Sequence, residues 1–335
     1  MRKILLLLVL FCLFQPTADS KSVYIKKVNV KKSSTTTSTS SQTTTQTSGS
    51  GTDLSAMFQA SWDPFWLNPI PAGAIYIPFK ATNDSAYGFH AANIRMDLNY
   101  QVAVSYAMPT VDIYEAGSWL SRTSGKILDG RTPLPTNFVL PDANSVDTPN
   151  NPTIILNTDN KTAVYLNAAA RPSSGGPIWG YISGDKPATH GGSGIIGGEL
   201  TLQELKNNRI NHALAINVWG RKYLNKMGGG FVSPAVKADT GYLDPASGDY
   251  YGGGIGNLKM GSRVAIPPSV TAQSLGIQSA EGIALLNALK TYGAYIVDNS
   301  AWDALYINTT PDAAPVLMNR QTEISKLFGT MQIVK

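Results

Sequence analysis

The stretch Thr153-Ile-Ile-Leu-Asn-Thr-Asp-Asn-Lys-Thr-Ala-Val-Tyr-Leu166 decides the class of fold. Two short runs rich in apolar and β-branched residues, Thr153–Leu156 and Ala163–Leu166, flank the turn-forming triplet Asp159-Asn160-Lys161, a pattern typical of a β-hairpin. Further short alternating runs, separated by Pro, Gly, Asn and Asp, lie at Ala74–Phe79, Val102–Tyr106 and Ile210–Val218. The sequence therefore predicts a mainly β fold, an antiparallel β-sandwich or jelly roll.

Two segments predict short helices packed on the sheets. Thr201-Leu-Gln-Glu204 has the pattern of a capping box and predicts a short helix that ends near Asn208. A longer helix is predicted to begin at Ser279, because apolar residues then recur at helical spacing until Gly293, a residue type that commonly ends helices. We expect a strand, Ala294–Val297, directly after it.

The first twenty residues have the pattern of a secretory signal peptide. The basic start Met1-Arg2-Lys3 precedes an apolar run of 11 residues, Ile4–Phe14, and small residues then favour cleavage after Ser20. The run is too short to cross a bilayer as a helix, which needs about 20 residues. A lipoprotein would use Cys12, but this cysteine lies inside the apolar run. We therefore expect an exported chain, secreted or at the cell surface, with residues 1–20 removed.

Three segments are predicted to follow the signal peptide. Residues 21–32 are basic with strand-like alternation, residues 33–52 form a Ser/Thr-rich disordered linker, and residues 53–335 form a single β-rich globular domain. In one interpretation, residues 21–32 and the linker together form a basic, disordered tail that carries O-linked glycans and holds the domain away from a surface. The other is a donor strand that completes the sheet of a neighbouring subunit and so builds a fibre.

Cysteine content and charge exclude several classes of function. Cys12 is the only cysteine, so a chain without its signal peptide has no disulfide, thiolate nucleophile or cysteine zinc ligand. Seven of the 27 basic residues, but only one of the 22 acidic ones, precede residue 33. The predicted domain is therefore nearly neutral although the whole chain has a pI of about 9.1. A nucleic-acid partner is not expected, because it would require basic residues clustered on the domain.

Four residues are candidates for catalysis: Glu115, Glu204, His212 and Asp298. Glu115 lies three residues after Asp112, and paired carboxylates perform glycoside hydrolysis. Residues three apart on a strand point to opposite faces, however, which favours two solvent-exposed charges.

Each of the other three candidates also has a structural interpretation. Glu204 occupies the position at which a capping box requires Glu. His212 lies on the apolar face of the predicted strand Ile210–Val218, where a buried, neutral, hydrogen-bonded ring is typical. Asp298 resembles a turn residue that binds its own backbone. The spacing of His90, His190 and His212 matches no metal-binding motif, so no metal or cofactor is predicted.

Aromatic residues supply the candidates for ligand binding. The glycine-rich segment 241–254 carries Tyr242, Tyr250 and Tyr251, and Trp302 follows later in the chain. Aromatic side chains on a loop suit stacking against sugar rings. The alternative is a glycine-rich connection in which the tyrosines have no role in binding.

Several pieces of the sequence, taken together, resemble a group of uncharacterised secreted bacterial β-sandwich proteins. They occur in one order from about residue 60 to 310, and they are Tyr106-Ala-Met-Pro109, Ile154–Asp159, Gly194–Glu204, Asn211–Leu214, Met260–Arg263, Tyr292-Gly293 and Ile296–Asn299. The resemblance implies an extracellular β-sandwich in polysaccharide-rich surroundings and no established reaction. Where the group tends to show Leu-Tyr-Glu, this chain has Tyr165-Leu166-Asn167, which lowers the expectation of catalysis.

The sequence thus predicts an exported protein that binds, or processes, polysaccharide or cell-surface glycan. One alternative is a structural or adhesive subunit that self-assembles into fibres through its N-terminal segment. Another is a glycoside hydrolase or polysaccharide lyase. Because no convincing acid/base pair is visible in the sequence, binding is favoured over catalysis.

Overall fold

A computed structural model of the chain contains three sheets with short helices between their strands. It describes residues 26–27, 58–59, 62, 64–144, 149–158, 162–181 and 197–335. The strands are β1 (Lys26–Lys27), β2 (Tyr76–Ile77), β3 (Lys80–Ala81), β4 (Asn93–Leu98), β5 (Tyr100–Ala103), β6 (Thr110–Glu115), β7 (Leu128–Pro133), β8 (Thr153–Leu156), β9 (Thr162–Ala170), β10 (Ile178–Tyr181), β11 (Leu214–Val218), β12 (Gly254–Ile255), β13 (Arg263–Ala265), β14 (Ala294–Asn299), β15 (Ala304–Thr309) and β16 (Gln332–Val334).

The described helices are short. The α-helices are α1 (Leu202–Lys206), α2 (Gly220–Tyr223), α3 (Ala272–Leu275), α4 (Ala280–Thr291), α5 (Ala314–Met318) and α6 (Gln321–Phe328), and single 3-10 turns occur at Pro64–Leu67, Arg122–Ser124 and Met227–Gly229. The sequence predicted only α1 and α4, because only these combine a Ser or Thr N-cap with a clear helical pattern. Within the described parts of the chain, no helix has the length and apolar character needed to cross a membrane.

Two large sheets and one small one contain these strands. Sheet A has the order β5-β8-β9-β10-β6-β7, with β1 paired to β9; sheet B has the order β2-β16-β13-β14-β11-β15-β4; and β3 pairs with β12. The predicted β-rich class is confirmed, as is the hairpin of β8 and β9, in which Thr153 pairs with Leu166. The turn triplet 159–161 of that hairpin lies outside the described residues.

The pairing within the sheets is mixed, so the expectation of purely antiparallel strands was wrong. Parallel pairs are β5 with β8, β6 with β10, β11 with β14, and β4 with β15. Helix α4 provides the reason for one of them: it lies between β11 and β14 in the sequence and carries the chain back to start a parallel neighbour.

Three apolar clusters hold the layers together. The largest joins one face of sheet B to helices α4 and α6, with Ile216, Ile296 and Leu289 among its members. A second cluster lies between the sheets, where Ile154 and Leu156 of sheet A meet residues of β11 and β14, including Val297. A third covers the other face of sheet A. Both faces of the central part of sheet B are therefore covered.

Helix α4 confirms the second helix prediction closely. The Ser279 hydroxyl accepts a hydrogen bond from the backbone N–H of Gly282 and so caps the helix. The helix buries Leu285, Leu286 and Leu289 against sheet B. It ends two residues before Gly293, whose φ of 74° is one that a glycine adopts readily. Strand β14 follows at once, and it continues two residues beyond its predicted end.

Candidate functional site

The structure joins two of the predicted catalytic residues, Glu204 and His212. In Glu204, Oε2 accepts hydrogen bonds from the backbone N–H and the hydroxyl of Thr201 at 3.0 and 2.9 Å, which completes the predicted capping box. Its other oxygen, Oε1, lies 2.9 Å from Nε2 of His212 and also accepts a hydrogen bond from Gln59 at 2.9 Å. The capping role is therefore confirmed, and the same carboxylate holds a histidine.

His212 is fully buried as predicted, but its surroundings favour the charged ring rather than the neutral one. Its Nδ1 lies 2.9 Å from the carbonyl oxygen of Ala213, and its Nε2 faces Glu204. Both ring nitrogens thus face acceptors, and they donate to both only when the ring is protonated. Burial alone would lower the pKa of His212, but the charge and hydrogen bond of Glu204 outweigh it and the pKa is raised.

The predicted strand face of His212 was wrong. Strand β11 begins only at Leu214, so the alternation of side chains along the strand does not extend back to His212. The imidazole instead lies edge-on to the ring of Trp62, with 4.8 Å between the ring centroids. His212 consequently belongs to the region between the two sheets.

Glu199 connects this pair to sheet A. Its side chain is buried; Oε1 accepts a hydrogen bond of 2.7 Å from Gln101 on β5, and Oε2 accepts one of 3.1 Å from the N–H of Gly197. Burial raises the pKa of Glu199, although the Gln101 hydrogen bond opposes the rise. A Cβ on Gly197 or Gly198 would lie 2.4 Å from the ring of Trp66. The backbone just before Glu199 can therefore pack against this ring only because both residues are glycine.

Asp298, the third buried catalytic candidate, belongs to a carboxyl pair with Asp97. The side-chain amide of Asn150 donates to Oδ2 of Asp97 at 3.1 Å and to Oδ2 of Asp298 at 3.4 Å, so the two carboxyls lie within two hydrogen-bond lengths of each other. Asn217 donates a further hydrogen bond of 2.8 Å to Asp97, and Asn308 donates one of 2.9 Å to Asn217.

Burial and mutual repulsion keep a proton on this carboxyl pair. Burial, reinforced by the charge of Asp97, raises the pKa of Asp298 to about 8. Burial also raises the pKa of Asp97, although its hydrogen bonds from Asn217 and Asn150 oppose the rise. Asp298 additionally accepts a hydrogen bond from the N–H of Asn299, the local backbone contact that the sequence predicted. It does so at the end of strand β14 rather than in a turn.

Tyr165 links the carboxyl pair to Glu199. Burial and the negative charges of Glu199, Asp97 and Asp298 raise the pKa of Tyr165 well above its ordinary value. Its hydroxyl is enclosed and has no hydrogen-bond partner within the described residues. We call this set the interlayer polar cluster; its members are Asp97, Gln101, Asn150, Tyr165, Glu199, Glu204, His212, Asn217, Asp298 and Asn308.

The carboxyls of the interlayer polar cluster can bind protons, and they accept hydrogen bonds from other groups of the protein. In the described parts of the chain, no three His, Cys, Asp or Glu side chains are arranged to hold a metal ion. General acid–base catalysis would require one of these carboxyls to reach a substrate, whereas Glu199, Glu204 and Asp298 are each at most 7% exposed. The geometry favours a structural role for the cluster.

Glu115 lies apart from the other candidates. It is the last residue of β6, two strands away from β9 in sheet A, and it is half-buried. Asp112 lies on the same strand and forms an ion pair of 2.6 Å with Arg131. Because both acids are on one strand and three residues apart, their side chains point to opposite faces, as the sequence predicted. They do not form a catalytic pair.

The loop tyrosines pack against the protein itself. Tyr251 is fully buried, and its hydroxyl donates a hydrogen bond of 2.5 Å to Asp239. Tyr242 packs against Tyr251, with 5.6 Å between the ring centroids. Tyr250 is half-buried and lies beneath the cation of Lys226, which also donates a hydrogen bond of 2.8 Å to its hydroxyl. These contacts support the alternative interpretation of a structural loop.

Trp302 differs from the loop tyrosines because 42% of its surface is exposed. The guanidinium of Arg95 lies 5.8 Å from the centroid of its ring, and its indole N–H donates to the Tyr306 hydroxyl at 3.0 Å. Arg95 also lines a surface depression of about 450 Å³ between β4 and α6. Polar or charged side chains dominate its lining: Asn93, Arg95, Gln321, Thr322, Ser325 and Lys326.

A second depression is smaller. It has a volume of about 250 Å³ and is lined by Tyr87, Pro267, Val270 and Gly329, among others. The position of a Cβ on Gly329 would lie 3.3 Å from the ring of His90, and the next residue, Ala91, lines the larger depression. His90 is therefore close to residues that line each of the two depressions.

Several residues of the interlayer polar cluster and of the larger depression were not predicted from the sequence. On β4, Asn93, Arg95 and Asp97 alternate with Ile94 and Met96, which pack into the core of sheet B. That alternation was a usable signal of a half-buried strand with a polar face. Nothing local to Tyr165 or Glu199 shows that they converge, because the convergence depends on how sheets A and B pack.

Comparison with known protein families, with curated proteins and with solved structures gives no significant match to this chain.

Proposed function

We propose that this protein is exported and binds polysaccharide through the larger depression and Trp302. One observation carries the proposal: an exposed indole ring stands beside a depression whose side chains are mostly hydrogen-bond donors and acceptors. Sugars present both hydroxyl groups and apolar faces, so sites of this composition suit them. The signal-peptide pattern of residues 1–20, which lie outside the described residues, supports export.

Binding is favoured over hydrolysis by the location of the acids. Glycoside hydrolysis needs two carboxyl groups on either side of a substrate bond. The lining of the larger depression includes no carboxylate among the described residues. The carboxyls of the interlayer polar cluster accept hydrogen bonds from the protein's own amides, which supports a structural role for them.

We also propose that sheets A and B form a β-sandwich with a helical layer on the outer face of sheet B. The contacts of Ile154 and Leu156 with Val297 support this arrangement. So do the hydrogen bonds from Gln101 to Glu199 and from Asn150 to Asp298, which cross between the layers. Strand β4 lies at an edge of sheet B, beside α6, where the larger depression lies.

Affinity electrophoresis in gels that contain different polysaccharides tests the binding proposal. We expect at least one polysaccharide to retard the protein, and we expect Trp302→Ala to abolish the retardation without changing the melting temperature. Tyr106→Ala is the matched control, because Tyr106 is also an exposed aromatic residue, 89% exposed, but lies beside sheet A. Unchanged retardation of Trp302→Ala, or equal loss in both variants, would contradict the proposed site.

Self-assembly through the N-terminal segment is a second candidate function, favoured by one observation. Strand β1 pairs antiparallel with β9, Lys26 opposite Ala163 and Lys27 opposite Thr162, so this segment can add a strand to sheet A. The same pairing between two chains would join subunits. Mass measurement over a dilution series, with and without residues 21–32, tests this: a concentration-dependent mass that the deletion removes supports assembly, and a constant monomer mass excludes it.

A further inference from the structure

The two depressions lie close together, and each has an exposed aromatic residue in it or beside it. Tyr87, which is 52% exposed, lines the smaller depression, and Trp302 stands beside the larger one. Between them, His90 lies near Gly329 of the smaller depression and directly precedes Ala91 of the larger one. We call this surface the track. Two depressions with two separate aromatic residues suit a chain-like ligand better than a single sugar.

The charges along the track have one sign. Lys80 lies 5.4 Å from the ring centroid of Tyr87 at one end, Arg95 lies 5.8 Å from that of Trp302 at the other, and Lys326 lines the larger depression between them. Within the described residues, none of these three cations has a carboxylate within ion-pair distance. Their charges are therefore available to a ligand.

Two acids beside the track, Asp303 and Asp84, share one cation, Lys222. Asp303 follows Trp302, and its carboxylate accepts a hydrogen bond of 3.2 Å from the N–H of Ala92. Lys222 lies 3.6 Å from the carboxylates of both Asp303 and Asp84. Lys222 therefore offsets one of the two negative charges, and the three cations of the track outnumber the one that remains.

We propose that the track binds an acidic polysaccharide, with Lys80, Lys326 and Arg95 contacting its anionic groups and Tyr87 and Trp302 contacting its sugar rings. This inference rests on the proposed glycan-binding function and adds the class of ligand and the extent of the site. An arginine beside an aromatic ring can bind a carboxylate in bidentate fashion while the ring contacts the sugar. The attraction of exposed charges is screened by salt, so binding weakens as ionic strength rises.

The test compares polygalacturonate with its methyl ester, which has the same backbone without the charge, and extends to alginate and hyaluronan as acidic polymers and to neutral glucans. We expect tighter binding to acidic than to neutral polymers at low salt. The double variant Arg95→Gln and Lys326→Gln should weaken binding to the acidic polymer about tenfold and leave binding to the neutral ester unchanged. Lys126→Gln, an exposed lysine outside the track, is the matched control and should change neither.

Three outcomes would overturn the inference in distinguishable ways. Equal affinity for acidic and neutral polymers removes the acidic preference and leaves the glycan-binding function intact. Binding that depends on Trp302 but is unchanged in Tyr87→Ala confines the site to the larger depression and removes the track. If no polymer of either kind retards the protein, the proposed function fails, and the inference fails with it.

Discussion

The interlayer polar cluster encloses its ionisable side chains, whereas the track exposes them at the surface. Strand β4 contributes residues to both regions. Asp97 is held between the sheets by the amides of Asn150 and Asn217. Arg95, two residues earlier on the same strand, reaches the surface and has no carboxylate partner in the described chain. Ionisable groups that are enclosed and hydrogen-bonded within the protein maintain architecture, whereas surface groups without ionic partners remain free for ligands. Changes in the first region should alter stability, and changes in the second should alter binding.

The largest effect should come from Glu204→Ala. It removes the side-chain half of the capping box, while the Thr201 hydroxyl still caps α1. It also leaves the protonated His212 buried without its carboxylate partner, and breaking a buried pair costs about 3–5 kcal/mol of unfolding free energy. Urea denaturation of the variant measures this loss. Glu204→Gln is the matched control, because glutamine also serves in a capping box, and it should cost less. A Glu204→Gln variant that loses an activity at unchanged stability would instead reveal a catalytic role.

The next effect concerns the dependence of stability on pH. An aspartate ordinarily loses its proton near pH 3.8, whereas Asp298 in the fold keeps it to about pH 8. Between these values the folded chain binds more protons than the unfolded chain, so stability falls as the pH rises through this window and levels off above it. The slope is at most roughly 1.4 kcal/mol per pH unit for one group.

Asp298→Asn, which replaces the protonated acid by a neutral amide of the same shape, should flatten this dependence. The melting temperature of the unmodified protein should fall between pH 5 and 9, and that of the variant should fall less. His212 contributes in the same direction, because its raised pKa adds stability that is lost at alkaline pH, so a residual slope is expected. A melting temperature of the unmodified protein that is constant over this range would contradict the account of a buried, protonated carboxyl.

The smallest effect is expected from Tyr250→Ala in the glycine-rich loop. This change removes the contacts of the ring with Lys226 and Arg221 and should lower stability by about 1 kcal/mol. Retardation by polysaccharide should stay the same, because the loop tyrosines pack on the protein. If Tyr250→Ala abolished binding while Trp302→Ala did not, the glycine-rich loop rather than the track would be the binding site.

The elements that the sequence predicted correctly are those whose signals are local. The hairpin of β8 and β9 follows from two apolar runs and a turn, and helices α1 and α4 follow from their caps. His212 was placed on the wrong face because its strand starts at Leu214, four residues later than the apolar pattern suggested. The parallel pairs and the meeting of Asp97 with Asp298 depend on contacts between residues far apart in the sequence, which no local pattern encodes.

The amide of Asn308 has a consequence for how this protein can be produced. Asn308-Thr309-Thr310 is an acceptor sequence for N-linked glycosylation. In the folded chain, however, this amide is buried and donates hydrogen bonds to Asn217 and to the carbonyl oxygen of Ala215. If a eukaryotic secretory host attached a glycan to Asn308 before folding, strand β15 could not pack between β11 and β4 in sheet B. Bacterial expression avoids this conflict, and in eukaryotic cells the occupancy of Asn308 would report which chains had failed to fold.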